Sequence, residues 1–248
     1  MSAEEIRQVF RHRSVLWLGD STARRTSANL YQILNDTKHT FANMSQASVI
    51  DVNKKRQTEV CQRRPFNESN VTINFCRSMP GGDGTFTMAS AACSRDVEFI
   101  ADHWSQWRGH VDLIVIDLGI WECTPGYRRT CRVPNETMYQ VIDRVVLTLP
   151  LDEVEVIWRT TGYSAEARTE RSVDALNEYV KNKIRDINHP NLTYFDWSAA
   201  VRERSIGDDR LVGDLKPHYG LEPRLVAIQM LANTLRDRHG VPSNTSVR

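Results

Sequence analysis

Two short stretches carry residue types that together can perform nucleophilic chemistry. Ser21 comes directly after Asp20 and the apolar run "VLWLG", and a helix-favouring segment follows it. A serine at that junction would lie at the first turn of a helix, where free N–H groups and the helix dipole favour a developing negative charge. Near the other end of the chain, the stretch "GDLKPHYG" places Asp214 and His218 in one loop. A nucleophilic serine needs a base, and the base needs an orienting carboxylate, so these residues predict a Ser-His-Asp triad.

The same residues also have a plainer interpretation. Gly19 allows a tight backbone turn, and Asp20 can cap the following helix by accepting hydrogen bonds from nearby amides. Asp20-Ser21 could then serve only as a cap. An Asp-x-x-x-His pair also arises often by chance. The joint occurrence of the two stretches favours the triad, because each supplies what the other lacks.

The elements that would position these residues alternate between strand and helix. Apolar runs predict strands, which we place at 14–18, 47–52, 71–75, 111–118, 154–160 and 192–197. Amphipathic periodicity predicts helices, which we place at 3–11, 22–35, 95–108, 135–149, 165–187 and 221–238. This order predicts an α/β fold, a three-layer α/β/α sandwich with a mostly parallel central sheet. Functional groups in such folds gather beyond the carboxyl ends of the strands. We expect one catalytic domain over residues 1–240 and a flexible tail over 241–248.

Charge and composition exclude several classes of function. The chain has 248 residues, with 32 Lys and Arg against 31 Asp and Glu, so it has no global field that would gather nucleic acid. Its histidines and cysteines lack metal-ligand spacing, so we expect no metal and no cofactor. No apolar run approaches the roughly 20 residues of a membrane span. Any membrane tether would lie outside these residues.

Glycosylation sequons and cysteines favour an oxidising compartment. Seven of the fourteen asparagines begin an Asn-x-Ser/Thr triplet, namely Asn35, Asn43, Asn67, Asn70, Asn135, Asn191 and Asn244. Cys123 and Cys131 flank the loop "TPGYRRT" and predict a local disulfide; a second bridge among the other three cysteines would leave one thiol. We expect the lumen of the secretory pathway or the extracellular space. The charged start "MSAEEIRQVF" is not a signal peptide, so a signal or anchor would lie outside the chain.

Three blocks of the sequence resemble the GDSL/SGNH hydrolase superfamily. These blocks are "LGDSTARR", "LIVIDLGIWE" and "DLKPHYGLEPRLVAIQMLANTL", and they span nearly the whole chain. Within the superfamily the chain is similar in particular to the PC-esterase branch, relatives of the trichome-birefringence-like and CAS1-type O-acetyltransferases, and the first block has the form Gly-Asp-Ser-x-x-Arg. The resemblance implies an SGNH-like fold, with Ser21 as nucleophile, His218 as general base and Asp214 as its partner. Arg24 matches the family's arginine after the serine and would either orient substrate or pair with an acidic residue.

The chain departs from the family pattern at three points. Asp214 lies four residues before His218 rather than three, so Asp208 or Asp209 could be the true partner. The oxyanion-binding block falls on Gly119 to Glu122, which puts Trp121 at the family's asparagine; an indole N–H can still donate. In the PC-esterase branch an asparagine lies four residues earlier, and here that position is Asp117. A second donor is expected from a backbone glycine, with Gly82 the first choice over Gly81 and Gly84.

The resemblance implies a serine esterase or acyltransferase. Its partner would be an acylated carbohydrate or small ester substrate, with no role for nucleic acid. Hydrolysis and transfer use the same residues, so an O-acetylesterase and an O-acetyltransferase both fit. The alternatives are a catalytically inactive, glycan-binding relative, which Asp117 and the altered Asp/His spacing would suit, and an interaction domain that uses the fold alone.

Overall fold

A six-stranded sheet forms the centre of the molecule. The computed structural model describes residues 1–35, 71–79, 84–124, 131, 135–162, 167–205 and 219–240. The strands are β1 (Val15–Gly19), β2 (Thr72–Ser78), β3 (Thr85–Ser90), β4 (Leu113–Asp117), β5 (Glu155–Arg159) and β6 (Leu192–Phe195). Their order is β2-β3-β1-β4-β5-β6, with every pair parallel except β2 and β3. The sheet is therefore mostly parallel, as the alternating pattern predicted.

Helices cover both faces of the sheet. They are α1 (Ala3–Phe10), α2 (Ser21–Asn35), α3 (Glu98–Asp102), α4 (Trp104–Trp107), α5 (Ile120–Cys123), α6 (Met138–Thr148), α7 (Ala167–Ile187), α8 (Trp197–Ser205) and α9 (Leu221–His239). A short 3-10 helix, Ser94–Val97, precedes α3. The core on one face lies under α1, α2, α8 and α9, and the core on the other lies under α3 to α7. The three-layer α/β/α sandwich is confirmed.

Strand β1 shows why its sequence is apolar throughout. Val15 and Trp17 join the core beneath α2 and α9, while Leu16 and Leu18 join the opposite core. All five residues of the strand are buried. A strand covered on both faces cannot alternate polar and apolar residues, so its sequence becomes a continuous apolar run.

The closing helix α9 is fixed at both ends. At its start, the Trp197 indole Nε1 donates to the carbonyl of Pro223 at 2.9 Å. At its end, Arg238 Nε and His239 Nε2 contact the two carboxylate oxygens of buried Glu155, at 2.6 and 2.8 Å. The residues that immediately precede α9 are thereby held against the sheet.

The sequence predictions differ from the structure in several elements; helix α8 and the short helix α5 were not predicted. Strand β3 was not predicted, because the turn-rich stretch before it extended the expected loop. The helix expected over 95–108 is broken into a 3-10 turn, α3 and α4. The strand expected at 47–52 and the tail at 241–248 lie outside the described residues. Within those residues, no helix is long and apolar enough to cross a membrane.

The disulfide prediction was wrong in its pairing. Cys131 bonds to Cys93, which follows β3, and Cys123 is a fully buried thiol in α5. Cys76 is disulfide-bonded as well. Spacing favoured the nearby Cys123, but α5 directs that side chain into the core, whereas Cys93 and Cys131 come together with their Cα atoms 5.2 Å apart.

Removal of the Cys93–Cys131 bond should destabilise the fold. The bond closes a loop of 38 residues, for which chain entropy predicts a contribution of about 4 kcal/mol. We expect Cys93→Ser and Cys131→Ser to lose the same free energy of unfolding, and the double variant to lose no more. Denaturant titration under non-reducing conditions measures this. Cys123→Ala is the matched control, and a loss from it equal to that of Cys131→Ser would contradict the pairing.

Candidate active site at the carboxyl ends of β1 and β4

Ser21 lies where strand β1 passes into helix α2. It is the first residue of α2 and is partly exposed. The preceding Asp20 is buried, and its Oδ1 accepts the backbone N–H of Thr22 at 2.7 Å, so the predicted capping role is confirmed. A Cβ atom on Gly19 would overlap the carbonyl oxygen of Asp117 and the Cβ of Ala23. Only glycine permits this close approach of β1, α2 and β4.

The site lies at the point where the strand order reverses. Strand β1 has β3 on one side and β4 on the other, and Gly19 lies opposite Asp117 in the β1–β4 register. The Asp20 backbone N–H donates to the Asp117 carbonyl at 3.4 Å. Ligands of open α/β sheets bind in the crevice at such a switch point, beyond the carboxyl ends of the strands.

Helix α5 follows β4 and brings two predicted oxyanion residues to the same edge. Gly119 has φ +125° and precedes the helix, where a side chain would meet Thr161. Trp121 lies in α5 and is half-buried against the core on that side. Ser21, Gly119 and Trp121 therefore follow two adjacent strands at one edge of the sheet.

A small pocket, partly open to solvent, lies beside this junction. Its lining residues come from β1–α2, β4–α5, β5 and the segment before α9, namely Asp20, Thr22, Asp117, Ile120, Arg159, Thr161, Gly162 and Tyr219. Asp20 and Thr22 flank Ser21 in the sequence, and Tyr219 follows His218. The described neighbours of both predicted catalytic residues thus line one pocket.

Arg159 is the residue of this pocket that the sequence analysis missed. It is 1% exposed at the end of β5, and its Nη2 donates to Asp117 Oδ1. Its Nη1 donates to Thr26 Oγ1 at 3.4 Å, and the guanidinium lies 3.9 Å from the centre of the Trp197 ring. The available signal was an arginine at the carboxyl end of the strand, directly after the apolar run 156–158.

Burial dominates the electrostatics of three carboxyl groups here. Burial raises the pKa of Asp117 to about 7, with Arg159 lowering it and Asp20 raising it further. Burial also raises the pKa of Asp20, against the hydrogen bonds from Thr22. The pKa of Glu122 is raised by burial, against hydrogen bonds from Ser94. The crevice therefore favours neutral carboxyl groups.

The loop after β3 lies on the other side of β1 at the same edge of the sheet, and its amides are engaged. The Ala91 N–H donates to the Gly19 carbonyl at 2.8 Å. The N–H groups of Ala92 and Cys93 donate to Asp96 Oδ2 at 3.2 and 2.9 Å, and that of Ser94 donates to Glu122 Oε1. In this conformation these four amides hold the loop rather than face a ligand.

The remaining predicted residues fall into two groups. Arg24 is partly exposed one turn along α2, and Gly84 lies before β3, against the Arg13 backbone at the opposite edge from Ser21. That position does not suit Gly84 as an oxyanion donor. The others lie outside the described residues, namely Gly81, Gly82, Asp208, Asp209, Asp214 and His218.

Comparison with known proteins finds likeness in structure alone. No protein-family model matches the chain, and no curated protein matches it. A catalytic mutant of Axe2, an acetylxylan esterase from Geobacillus stearothermophilus, superposes with a TM-score of 0.52 at 13% identity, over 90% of this chain and 94% of that one. Another Axe2 mutant, described as an acetyl-xylooligosaccharide esterase, gives 0.51 at 13% identity over 95% and 97%. A lipase/acylhydrolase from Enterococcus faecalis gives 0.49 at 13% identity over 91% and 96%. The chain thus has the α/β fold of the SGNH-type hydrolases, which the sequence resemblance implied.

Proposed function

We propose that the protein is a serine esterase or acyltransferase of SGNH type that acts on acyl esters of carbohydrates. Ser21 is the nucleophile, His218 is the general base and Asp214 orients the base. The fold supports this proposal, since the solved structures with TM-scores of 0.51 and 0.52 are forms of an esterase of acetylated xylan or xylo-oligosaccharides. An acetylated sugar is accordingly the substrate class we favour. The PC-esterase branch remains the family prediction for this chain.

One observation carries the proposal. Tyr219, which follows His218, lines the same pocket as Asp20 and Thr22, which flank Ser21. Tyr219 is buried against Trp197, with ring centroids 4.6 Å apart, so its position at this edge is fixed by packing. Two segments nearly two hundred residues apart in sequence meet there, as a triad built from both requires.

The proposed reaction proceeds through an acyl-enzyme. Ser21 Oγ attacks the ester carbonyl carbon while its proton passes to His218. The tetrahedral intermediate collapses, the bond from the carbonyl carbon to the sugar oxygen breaks, and His218 returns the proton to that oxygen. Water, or the hydroxyl of a second sugar, then attacks the acyl-Ser21 ester and regenerates the serine. Which acceptor reacts decides between hydrolysis and transfer.

The charge on the tetrahedral intermediate needs hydrogen-bond donors. Ser21 begins helix α2, so the positive end of the helix dipole faces the developing charge. We assign further donation to the Trp121 indole N–H and the Gly119 backbone. Gly82 stays a prediction for the remaining donor, and Arg24 stays a prediction for substrate binding.

An inactive, glycan-binding protein is the second candidate. The observation that favours it is the engaged loop after β3, whose amides at Ala92, Cys93 and Ser94 bind carboxylates. A site with too few free donors would bind an ester without turning it over. The same substrates therefore have to be tested for binding as well as for turnover.

We also propose that the protein resides in the secretory pathway or outside the cell. The disulfide between Cys93 and Cys131 supports this, because such bonds persist in oxidising compartments. Asn35 and Asn135, two of the sequon asparagines, are exposed. Glycosidase treatment of the protein from a eukaryotic secretory host should therefore increase its gel mobility.

Substitution of the triad should abolish turnover. We expect Ser21→Ala and His218→Ala to lower kcat on p-nitrophenyl acetate and on an acetylated xylo-oligosaccharide by at least about 10³-fold. A fluorophosphonate probe should label wild type at Ser21 and leave Ser21→Ala unlabelled, because only an activated serine reacts.

Two substitutions of the same residue types at other positions serve as matched controls. Ser27→Ala removes another hydroxyl from α2, one that donates to the Arg24 carbonyl, and His110→Ala removes an exposed histidine. Both controls should keep wild-type turnover. Turnover that survives the Ser21 and His218 substitutions would contradict the proposed catalytic mechanism. Glycan binding without turnover in wild type would establish the second candidate.

Removal of the Trp121 donor should affect the rate and spare binding. Trp121→Phe keeps an aromatic ring but has no N–H, so we expect kcat to fall by about 10²-fold with little change in KM. Steady-state kinetics on the acetylated oligosaccharide measure this. Trp107→Phe, in α4 away from the site, is the control, and an unchanged kcat in Trp121→Phe would remove Trp121 from the oxyanion site.

A further inference from the structure

The pocket beside Ser21 has fewer positive than negative groups. Asp20 and Asp117 both line it, and they are 5% and 3% exposed. Within the described residues, Arg159 is the cation that acts on both. Two buried carboxylates cannot both be neutralised by one guanidinium, and an uncompensated buried charge is costly. One of the two carboxyl groups should therefore hold a proton.

The other groups near Asp20 and Asp117 also favour protonation of one of the two carboxyl groups. Glu122, buried in α5, is a third carboxyl group close enough to Asp20 for repulsion to raise its own pKa. Among the described residues, the other groups near Asp117 that can donate a hydrogen bond are the hydroxyls of Thr22, Thr161 and Tyr219 and the Trp17 indole of β1. None of these carries a positive charge, so within the described part of the chain protonation is what balances the second carboxylate.

Hydrogen bonding identifies which carboxyl group is protonated. Asp20 Oδ1 accepts the Thr22 N–H at 2.7 Å at the start of α2, and the Ala23 N–H also stabilises the Asp20 anion. Such bonds and the helix dipole favour the charged form. Asp117 Oδ2, by contrast, is buried and has no hydrogen-bond partner of good geometry among the described residues, although the Trp17 indole lies close enough to lower the pKa of Asp117 somewhat. The proton is therefore best placed on Asp117.

Arg159 determines which oxygen of Asp117 carries the proton. Its guanidinium is held by Thr26 Oγ1 and by the face of Trp197, and it binds Asp117 through Oδ1. Asp117 lines the pocket, and Oδ2 is the buried oxygen that this arrangement leaves without a partner among the described residues. A neutral carboxyl group held this way can donate a hydrogen bond in a site that would otherwise repel negative charge.

We propose that Asp117 acts in its neutral form as a hydrogen-bond donor to the ester carbonyl oxygen, and that Arg159 is the residue that positions it. The inference rests on the proposed function and adds to it a donor that the engaged loop after β3 does not supply. It also reverses the expectation that an aspartate at this position weakens the site.

A pH profile tests the protonation state of Asp117. Burial raises its pKa to about 7, so wild-type kcat should fall above that pH, by about tenfold per unit. Asp117→Asn supplies an amide donor that does not titrate; we expect a loss of up to about tenfold below pH 7 and no fall above it. Asp117→Leu, with no donor, should lose about 10²-fold at every pH.

The variants distinguish an Asp117 that acts as a neutral hydrogen-bond donor from one that does not. Asp112→Asn, at the other end of β4, is the matched control and should keep the wild-type profile. If folded Asp117→Asn retained the alkaline fall, or lost as much activity as Asp117→Leu, Asp117 would not act as a neutral donor. Near-ultraviolet circular dichroism establishes that each variant is folded.

Arg159 variants test positioning. Arg159 lowers the pKa of Asp117, so Arg159→Met should move the alkaline fall to higher pH and reduce kcat, because Oδ2 is no longer aimed. Arg159→Lys keeps the charge and should restore the position of the fall. If Arg159 had only a structural role, its replacement would change the stability of the fold without changing the pH at which kcat falls. An unmoved fall in Arg159→Met would therefore overturn the positioning role.

Two measurements do not depend on turnover. Infrared difference spectra of wild type against Asp117→Asn should show a protonated carboxylic acid at pH 6 that disappears near pH 8. Because the folded pKa is raised above 3.8, the stability contribution of this carboxyl group is complete below about pH 4 and lost as the pH rises through about 7. The denaturation midpoint of wild type should fall relative to Asp117→Asn across that window.

These readouts keep the two proposals distinguishable. An infrared band without turnover of any ester would place the proton on Asp117 and reject the proposed function. Turnover that depends on Ser21, with no band and with an alkaline fall in Asp117→Asn, would support the function and reject the donor.

Discussion

The close contact between the ends of β1 and β4 determines where the groups of the site lie. Gly19 brings the backbone of β1 against the Asp117 carbonyl and the first turn of α2, so that no side chain fits between them. Because the strand order reverses here, loops from opposite faces of the sheet leave a crevice instead of covering it. The result places the start of α2, with Ser21, beside a buried carboxyl group from β4. Burial in turn makes the charges of this crevice interdependent.

The second half of the site depends on the packing of α9. Glu155 holds the end of this helix at the amino edge of the sheet, and Trp197 holds its start. Trp197 also contacts both Tyr219 and Arg159, so one indole fixes the segment after His218 and the cation of the pocket. A rigid aromatic contact of this kind costs little conformational entropy, because tryptophan has few rotatable bonds. Positional accuracy at the site thus comes from the core beneath it.

The sequence predicted the order of strands and helices better than the contacts between residues far apart in the chain, such as the disulfide. Continuous apolar strands such as β4 are recognisable because burial on both faces leaves a local pattern, and so are long amphipathic helices such as α7. Strand β3 was missed because a turn-rich stretch precedes it. The partner of Cys131 was missed because a bond to Cys93 depends on tertiary proximity, whereas spacing alone pointed to Cys123.

The same limit applies to the site. Its serine is recognisable because a strand, a glycine and a helix start leave a local signature around Ser21. The role of Arg159 is not local, since it depends on Asp117, Thr26 and Trp197, which lie on three other elements. The placement of Gly84 at the opposite edge is likewise a matter of topology, because β3 runs parallel to β1 and Gly84 precedes β3, next to Arg13 before β1.

The segments on the two sides of the β1 end have different roles as a consequence. On the β3 side, Asp96 and Glu122 use the loop amides to hold the backbone, and the bond from Cys93 to Cys131 restrains the same loop. Those amides already donate to carboxylates within the fold. In the proposed reaction, hydrogen bonds to the developing negative charge therefore have to come from the β4 side of β1. There the start of α2 and the Asp117–Arg159 pair meet. An ionised Asp117 would cancel the field of the helix end, whereas a neutral one adds a donor to it. In the proposed ester reaction, the protonation of one buried carboxyl group therefore decides whether this crevice attracts or repels the developing negative charge.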